Sequence, residues 1–200
     1  MIRAIIFDIG NVLLKFDFNI AIRKLAPLCN VTPNQKLLAP IEEIKTAYES
    51  GQIGREEFLD KAIALLGYRG SRESFVAAWE DIFEENTPMI ELVEQLHERY
   101  PLYLLSNTSD IHMDYILGKY PAFQRFRDAV YSYKVKCFKP DRAIYEVAIR
   151  QFGINPAETV FIDDLPANVE SARTLGFHAI AYNFRDHGAL LNTLNGLGVC

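Results

Sequence analysis

The sequence holds few of the features that mark disulfide-rich, zinc-binding or membrane-spanning proteins. It has three cysteines, Cys29, Cys137 and Cys200, which are widely spaced and form no CxxC pair. We therefore expect neither a disulfide framework nor a zinc site. No apolar run reaches the roughly 18 residues that a membrane span needs. Met1 leads into a strand-like run rather than a signal peptide, so a cytoplasmic location is the expectation.

The sequence also lacks a strong charge of either sign. Its formal net charge is -5 and its pI is about 5.4, which gives no general attraction to nucleic acid or to an anionic membrane. Hydrophobic residues make up 50% of the chain, enough to cover both faces of a sheet. We expect a small-molecule or protein partner and no nucleic-acid or membrane partner, and the sequence does not decide between a monomer and a homodimer.

Four apolar runs are separated by stretches with helical spacing. The runs read IIF, LYLL, TVFI and HAIAY, and runs of this kind are typical of buried parallel strands. Apolar residues recur at helical spacing over 89–100, 140–152 and 168–175. Strands that alternate with helices predict an α/β fold with a doubly wound, mostly parallel, Rossmann-like sheet.

Residues 15–85 interrupt this alternation, because they contain helical patterns and no convincing strand. The predicted helices are 20–29, 41–48, 56–66 and 74–83. We therefore predict an α/β core formed by residues 1–14 and 86–200, with an all-helical insertion formed by residues 15–85.

Polar clusters follow the strand-like runs or begin the helices. Each of the first three has a purely structural alternative: a turn after a strand, a helix N-cap, or a surface lysine. The adjacent carboxylates of the fourth cluster repel each other unless a cation or a basic group lies between them. The clusters are Asp8 with Gly10 and Asn11; Ser106 and Asn107; Lys139; and Asp163 with Asp164.

Together these residue types supply what phosphoryl transfer needs. Carboxylates are the oxygen ligands that Mg²⁺ prefers, and an Asp is able to act as a nucleophile. A hydroxyl, an amide and a lysine can hold and neutralise anionic oxygens. Catalysis of phosphoryl transfer depends largely on such positioning and charge neutralisation.

The same clusters resemble the four motifs of the haloacid dehalogenase-like hydrolases, in the same order. The matching stretches are FDIGNVL, LLSNTS, FKP and VFIDDLPANVESARTLGF. Within that superfamily the chain is similar to the FDLGNV branch, which includes bacterial glucose-1-phosphate phosphatases. The helical insertion resembles the cap domain of that family.

The resemblance implies a Mg²⁺-dependent phosphatase that hydrolyses a small phosphate monoester, such as a hexose 1-phosphate, through an aspartyl-phosphate. The resemblance implies that Asp8 is the nucleophile and that Lys139 offsets negative charge. The implied metal ligands are Asp8, the Gly10 carbonyl, Asp164 and, through water, Asp163. The residues implied to contact the phosphate are Ser106, Asn107, Gly10 and Asn11.

Position 10 departs from the family pattern, because most phosphatases of this family carry there a second Asp that protonates the leaving oxygen. Gly10 keeps the carbonyl and lacks the carboxylate, and loss of a general acid typically costs about 10² to 10⁴ in rate. Asp17 is the nearest replacement acid/base, with a helix N-cap as its alternative role. We expect Gly10→Asp to speed turnover mainly of substrates with poor leaving groups.

Two other functions compete with the phosphatase. A 2-haloacid dehalogenase uses the same Asp nucleophile without metal, but the Asp163-Asp164 pair disfavours it because the pair would repel an anionic substrate. A phosphate-binding regulatory protein with weak turnover is the other alternative, and the missing acid at Gly10 favours it. For the closed site, the candidate lining residues from the insertion are Tyr48, Arg55, Trp79 and Phe83, with aromatic packing as the alternative, and no histidine shows the spacing of a catalytic triad.

Overall fold

A five-stranded parallel sheet forms the centre of the molecule. The structure is a computed structural model that describes residues 1–30 and 35–199, apart from the side chains of 35–39. Within these residues the strands are β1 (Ala4–Phe7), β2 (Leu14–Phe16), β3 (Phe83–Glu85), β4 (Leu102–Ser106), β5 (Asp128–Tyr131), β6 (Thr159–Asp163) and β7 (His178–Ala181). The sheet has the order β5-β4-β1-β6-β7, and all of its neighbouring strands are parallel.

Helices follow the strands along the chain. The described helices are α1 (Phe18–Leu25), α2 (Gln35–Glu49), α3 (Arg55–Leu66), α4 (Arg72–Glu80), α5 (Thr87–Leu96), α6 (Asp110–Lys119), α7 (Ser132–Val135), α8 (Arg142–Phe152), α9 (Pro166–Thr174) and α10 (His187–Gly196). Gly153 ends α8 in the left-handed conformation, with φ of 62°, as the sequence predicts. No described helix is long and apolar enough to cross a membrane.

Hydrophobic cores cover both faces of the sheet. Strand side chains alternate between the faces, so Ile5 and Phe7 of β1 join one core while Ala4 and Ile6 join the other. Helices α5, α6 and α10 contribute to the first core, and α8 and α9 to the second. The prediction of a doubly wound, mostly parallel α/β sheet is therefore confirmed.

The segment between β2 and β3 holds α1 to α4 and builds a third core of its own. Phe58, Phe75 and Trp79 are buried at its centre. The expectation that residues 15–85 contain no strand was wrong, because β2 and β3 pair as an antiparallel ribbon at the two ends of the segment. Three-residue strands are too short to show an alternating pattern. The predicted helix 74–83 was therefore wrong at its end, because α4 stops at Glu80 and Phe83 belongs to β3.

Candidate active site

The carboxyl edge of the sheet brings the four sequence clusters together. Asp8 directly follows β1, while Ser106 and Asp163 are the last residues of β4 and β6. Because β1 lies between β4 and β6, the ends of the three strands meet at one point. Lys139 reaches this point from the segment between α7 and α8, and its side chain is almost completely buried.

Lys139 lies between two carboxylates. Its Nζ is 2.8 Å from Asp8 Oδ1 and 2.6 Å from Asp163 Oδ2. Burial raises the pKa of Asp8 to about 6, although Lys139 lowers it and Asp163 raises it further. Burial lowers the pKa of Lys139, but Asp8 and Asp163 more than offset this and keep it above its usual value. The amine therefore stays charged and binds both carboxylates.

Asp163 is fully buried, and its oxygens already have partners. Lys139 donates to Oδ2, the backbone N–H of Leu165 donates to Oδ1 at 2.9 Å, and the Asn168 amide donates to both oxygens at 2.9 and 3.1 Å. These contacts fix the Asp163 carboxylate, which in turn holds the Lys139 amine in place. The water-mediated metal contact expected for it has no support in these bonds.

Asp8 and Asp164 leave oxygens for a cation. Ligand oxygens of Asp8, Asp163 and Asp164 lie within 4.8 Å of one another. Asp8 Oδ1 is buried and faces Lys139 Nζ at 2.8 Å as an ion pair. Asn11 donates to Asp164 Oδ2 at 3.1 Å and so orients that carboxylate. Three carboxylates this close together, with one lysine between two of them, fit a hard divalent ion such as Mg²⁺.

The Asn107 side chain faces the backbone of Lys139. Its Nδ2 donates to the Lys139 carbonyl at 2.9 Å, and its Oδ1 accepts from the Lys139 N–H at 2.8 Å. This pair of bonds fixes the loop that carries the lysine. Asn107 therefore positions Lys139, a role that the helix-cap and phosphate-contact interpretations did not include.

A cavity of about 260 Å³ opens above these groups. Its floor contains Asp8, Ser106, Lys139 and Asp164 from the core. Its opposite wall comes from the segment between β2 and β3, together with His112 of α6. Of the four lining residues predicted from that segment, Phe83 lies in the wall, whereas Tyr48, Arg55 and Trp79 do not. The wall residues that the sequence did not indicate are Phe16, Phe18, Lys45, Glu49, Ile82 and His112.

Phe16 occupies the space beside Gly10. A Cβ atom added at Gly10 would lie 2.8 Å from Phe16 Cε1, closer than carbon atoms approach without displacement. Gly10→Asp therefore needs the Phe16 ring to move, and the pair Gly10→Asp with Phe16→Ala is the suitable test of a restored carboxylate.

Asp17 does not join the site. Its carboxylate accepts from the Asn19 N–H at 2.9 Å as the N-cap of α1, and it pairs with Arg23 at 3.6 Å. The side chain is 47% exposed and does not line the cavity. The N-cap alternative describes its contacts, and the acid/base role has no support from this position. The N-cap bond explains why the backbone places this carboxylate away from Asp8.

His112 is the histidine that reaches the cavity. Its ring lies parallel to the Trp79 ring, at 4° between planes, and its Nε2 is 3.3 Å from the Trp79 carbonyl. Burial lowers the pKa of His112 to about 4, so the ring is neutral near pH 7. The sequence did not indicate this position because its neighbours come from α4 and β3.

The chain matches a known family model over most of its length. Residues 2–176 match the model described as haloacid dehalogenase-like hydrolase. A D-ribitol-5-phosphate phosphatase from Bacteroides thetaiotaomicron is 28% identical over 187 residues, which is 88% of this chain and 90% of the relative.

Solved structures with the same fold support the match. An enzyme of this family from Bacteroides thetaiotaomicron, in complex with magnesium and inorganic phosphate, is 29% identical with a TM-score of 0.83, covering 92% of this chain and 95% of that chain. A predicted hydrolase of the family from Porphyromonas gingivalis is 29% identical with a TM-score of 0.80, covering 97% of this chain and 98% of that one.

Proposed function

Because this chain belongs to the haloacid dehalogenase-like hydrolases, we propose that it is a Mg²⁺-dependent phosphatase of a small phosphate monoester. The observation that carries the proposal is the buried Asp8 carboxylate, held by Lys139 next to Asp164 at the floor of a cavity. A nucleophile, a cation and ligands for a metal are the parts that phosphoryl transfer requires. The similarity to a D-ribitol-5-phosphate phosphatase supports the same reaction.

The residues that would hold Mg²⁺ are Asp8, Asp164 and the backbone carbonyl of Gly10. The close approach of the Asp8 and Asp164 oxygens supports this assignment, and burial raises the pKa of Asp164, as expected for a carboxylate without a strong cationic partner. When bound, Mg²⁺ supplies positive charge that offsets the charge of the phosphoryl oxygens.

In the proposed reaction Asp8 attacks the phosphorus atom in line. Its carboxylate forms an aspartyl-phosphate and the bond from phosphorus to the leaving oxygen breaks. Lys139 neutralises charge on Asp8 and on the phosphoryl group, and Asn107 keeps its loop in place. The Ser106 hydroxyl lies at the end of β4 in the same cavity, where it is placed to donate to a phosphoryl oxygen.

The cavity favours a small polar leaving group, such as a sugar or a polyol. Its volume of about 260 Å³ is at or below the usual size of small-molecule sites. Lys45 and Glu49 place polar groups in its wall, which suit hydroxyl groups of the substrate. We therefore include pentitol phosphates and hexose 1-phosphates in the proposed substrate class.

We also propose that residues 15–85 act as the cap over a core of residues 1–14 and 86–200. The third hydrophobic core supports this division, because it is built mostly from α1, α2, α3 and α4. The wall residues from this segment would then select the leaving group, while the core residues would handle the phosphoryl group.

The test is phosphate release from a panel of monoesters, measured with Mg²⁺ and with EDTA. We expect multiple turnovers that require Mg²⁺ and that Asp8→Asn abolishes. Release of halide from a 2-haloacid with EDTA present would instead identify a dehalogenase. Phosphate binding without turnover would identify a regulatory protein.

A further inference from the structure

The proposed reaction needs a proton donor at the leaving oxygen, and position 10, where most phosphatases of the family carry one, does not supply it in this chain. Gly10 has no side chain, and the Phe16 ring fills the adjacent space. Asp17 is engaged as an N-cap. An alkoxide is a poor leaving group unless it is protonated as the bond to phosphorus breaks. The acid must therefore come from another part of the cavity.

Six titratable side chains line the described cavity. Asp8, Asp164 and Lys139 already have roles at the phosphoryl group, so three groups of the wall are left. These are Lys45, Glu49 and His112.

His112 and Lys45 are unsuited to this task. The Nε2 hydrogen of His112 is directed to the Trp79 carbonyl, and its ring is neutral near pH 7, so it offers the cavity no acidic proton. Burial lowers the pKa of Lys45, but Glu49 and Glu42 more than offset this and raise it above its usual value. A lysine with a raised pKa is a weak acid at neutral pH.

Glu49 lines the wall of the cavity. It is the last residue of α2, and its side chain is 17% exposed. Its backbone carbonyl accepts from Ser132 Oγ at 2.5 Å, and the same Oγ accepts from the Thr108 N–H at 2.9 Å. Only one hydroxyl therefore separates the Glu49 backbone from the loop that follows Ser106.

The surroundings of Glu49 act on its pKa in opposite directions. Burial raises the pKa of Glu49, whereas Lys45, at 3.1 Å, lowers it, and the net shift is upward. A carboxyl group with a pKa raised toward the working pH can give up a proton and take it back. A glutamate placed in this way is suited to acid/base catalysis.

We propose that Glu49 is the general acid and base of this enzyme, in place of the carboxylate missing at Gly10; this inference rests on the proposed phosphatase function. As Asp8 bonds to phosphorus, the Glu49 carboxyl gives its proton to the departing oxygen, which leaves as an alcohol. The Glu49 carboxylate then takes a proton from water while the water oxygen bonds to phosphorus. The bond from Asp8 to phosphorus breaks, and inorganic phosphate and free Asp8 result.

The test compares Glu49→Gln with Glu42→Gln on two substrates in Mg²⁺. Glu42 pairs with the same Lys45 at 3.2 Å, but it is 64% exposed and does not line the cavity, so its variant is a matched control. The substrates are an alkyl phosphate, whose leaving group needs a proton, and p-nitrophenyl phosphate, whose leaving group does not.

In Glu49→Gln we expect kcat/KM, which reports phosphoryl transfer to Asp8, to fall by about 10² or more for the alkyl phosphate and by less than about tenfold for the aryl phosphate. Because Glu49 also activates water in the second step, kcat for the aryl phosphate should fall as well. Glu49→Asp, which keeps a carboxyl group, should recover part of the alkyl rate. Glu42→Gln should leave the ratio of the two rates at the wild-type value.

Equal losses of kcat/KM on both substrates, or a rise in KM with kcat unchanged, would overturn the assignment of Glu49. Retained aryl turnover also establishes that the variant is folded. If the wild-type enzyme gave no Asp8-dependent phosphate release from either ester or from the panel of monoesters, the phosphatase function would be refuted, and the role of Glu49 with it.

Discussion

At the scale of single residues, Lys139 is the group on which the geometry of the site depends. Its amine lies within 2.8 Å of Asp8 and 2.6 Å of Asp163, and all three side chains are buried. Without the amine, two carboxylates would face each other in a low-dielectric region. Removing one partner of a buried ion pair is costly because the remaining charge has no compensation.

Lys139→Met should therefore lose both activity and stability. We expect a loss of about 3–5 kcal/mol in the free energy of unfolding with EDTA present, together with loss of turnover. Urea denaturation and phosphate release measure the two effects. Lys134→Met is the control, because Lys134 is exposed on α7, and its variant should match the wild type in both measurements.

His112 gives the protein a specific pH dependence of stability. Its pKa is about 4 in the folded chain, against an ordinary value of 6.5. Between these pH values His112 is protonated in the unfolded chain and neutral in the folded chain. The folded state therefore keeps the full free energy of unfolding above pH 6.5 and loses part of it as the pH is lowered toward 4.

His112→Phe removes this titration and keeps an aromatic ring against Trp79. Between pH 7 and pH 5, the wild type should lose about 2 kcal/mol more stability than the variant. The free energy of unfolding in urea at the two pH values measures the difference. Identical losses in the two proteins would contradict the burial of a neutral His112.

At the scale of elements, the C-terminal end of α2 is fastened to the core. Ser132 is fully buried, and its hydroxyl joins the Glu49 carbonyl to the Thr108 N–H. Tyr48 also donates to Asp110 of α6. Gly51, just beyond the helix, has φ of 69°, and a Cβ there would lie 2.5 Å from the Tyr133 carbonyl, so this close approach requires glycine.

Ser132→Ala should loosen α2 from the loop that follows Ser106. Two buried backbone groups would lose a partner, at a cost of about 1–3 kcal/mol in stability. We expect KM to rise because the wall of the cavity is held less firmly. Thermal unfolding and steady-state kinetics measure the two effects, and a variant with wild-type stability and KM would argue against this attachment.

Some strands of the sheet can be predicted from the sequence and others cannot. The apolar runs predict β1, β4 and β6, and because neighbouring parallel strands end together, they predict that Asp8, Ser106 and Asp163 meet. Strand β5, with the sequence DAVY, was not predicted, since four residues at the edge of the sheet with an exposed Asp128 carry a weak pattern.

At the scale of the whole molecule, the residues in the floor of the cavity can be predicted from the sequence, whereas most of those in its wall cannot. The floor comes from motifs in which residue type and local position suffice. The wall comes from packing between α2, β2, α6 and the core, so no local pattern marks Glu49 or His112 as members of the site. Their approach to Asp8 depends on how the third hydrophobic core is placed against the sheet.

The central claim is that Asp8 becomes phosphorylated during turnover. The most direct measurement is the intact mass of the protein after acid quenching during hydrolysis of p-nitrophenyl phosphate with Mg²⁺. We expect a species heavier by one phosphoryl group, located on the peptide that contains Asp8 and absent in Asp8→Asn. Sustained phosphate release with no such species, or with the label on another residue, would contradict the account.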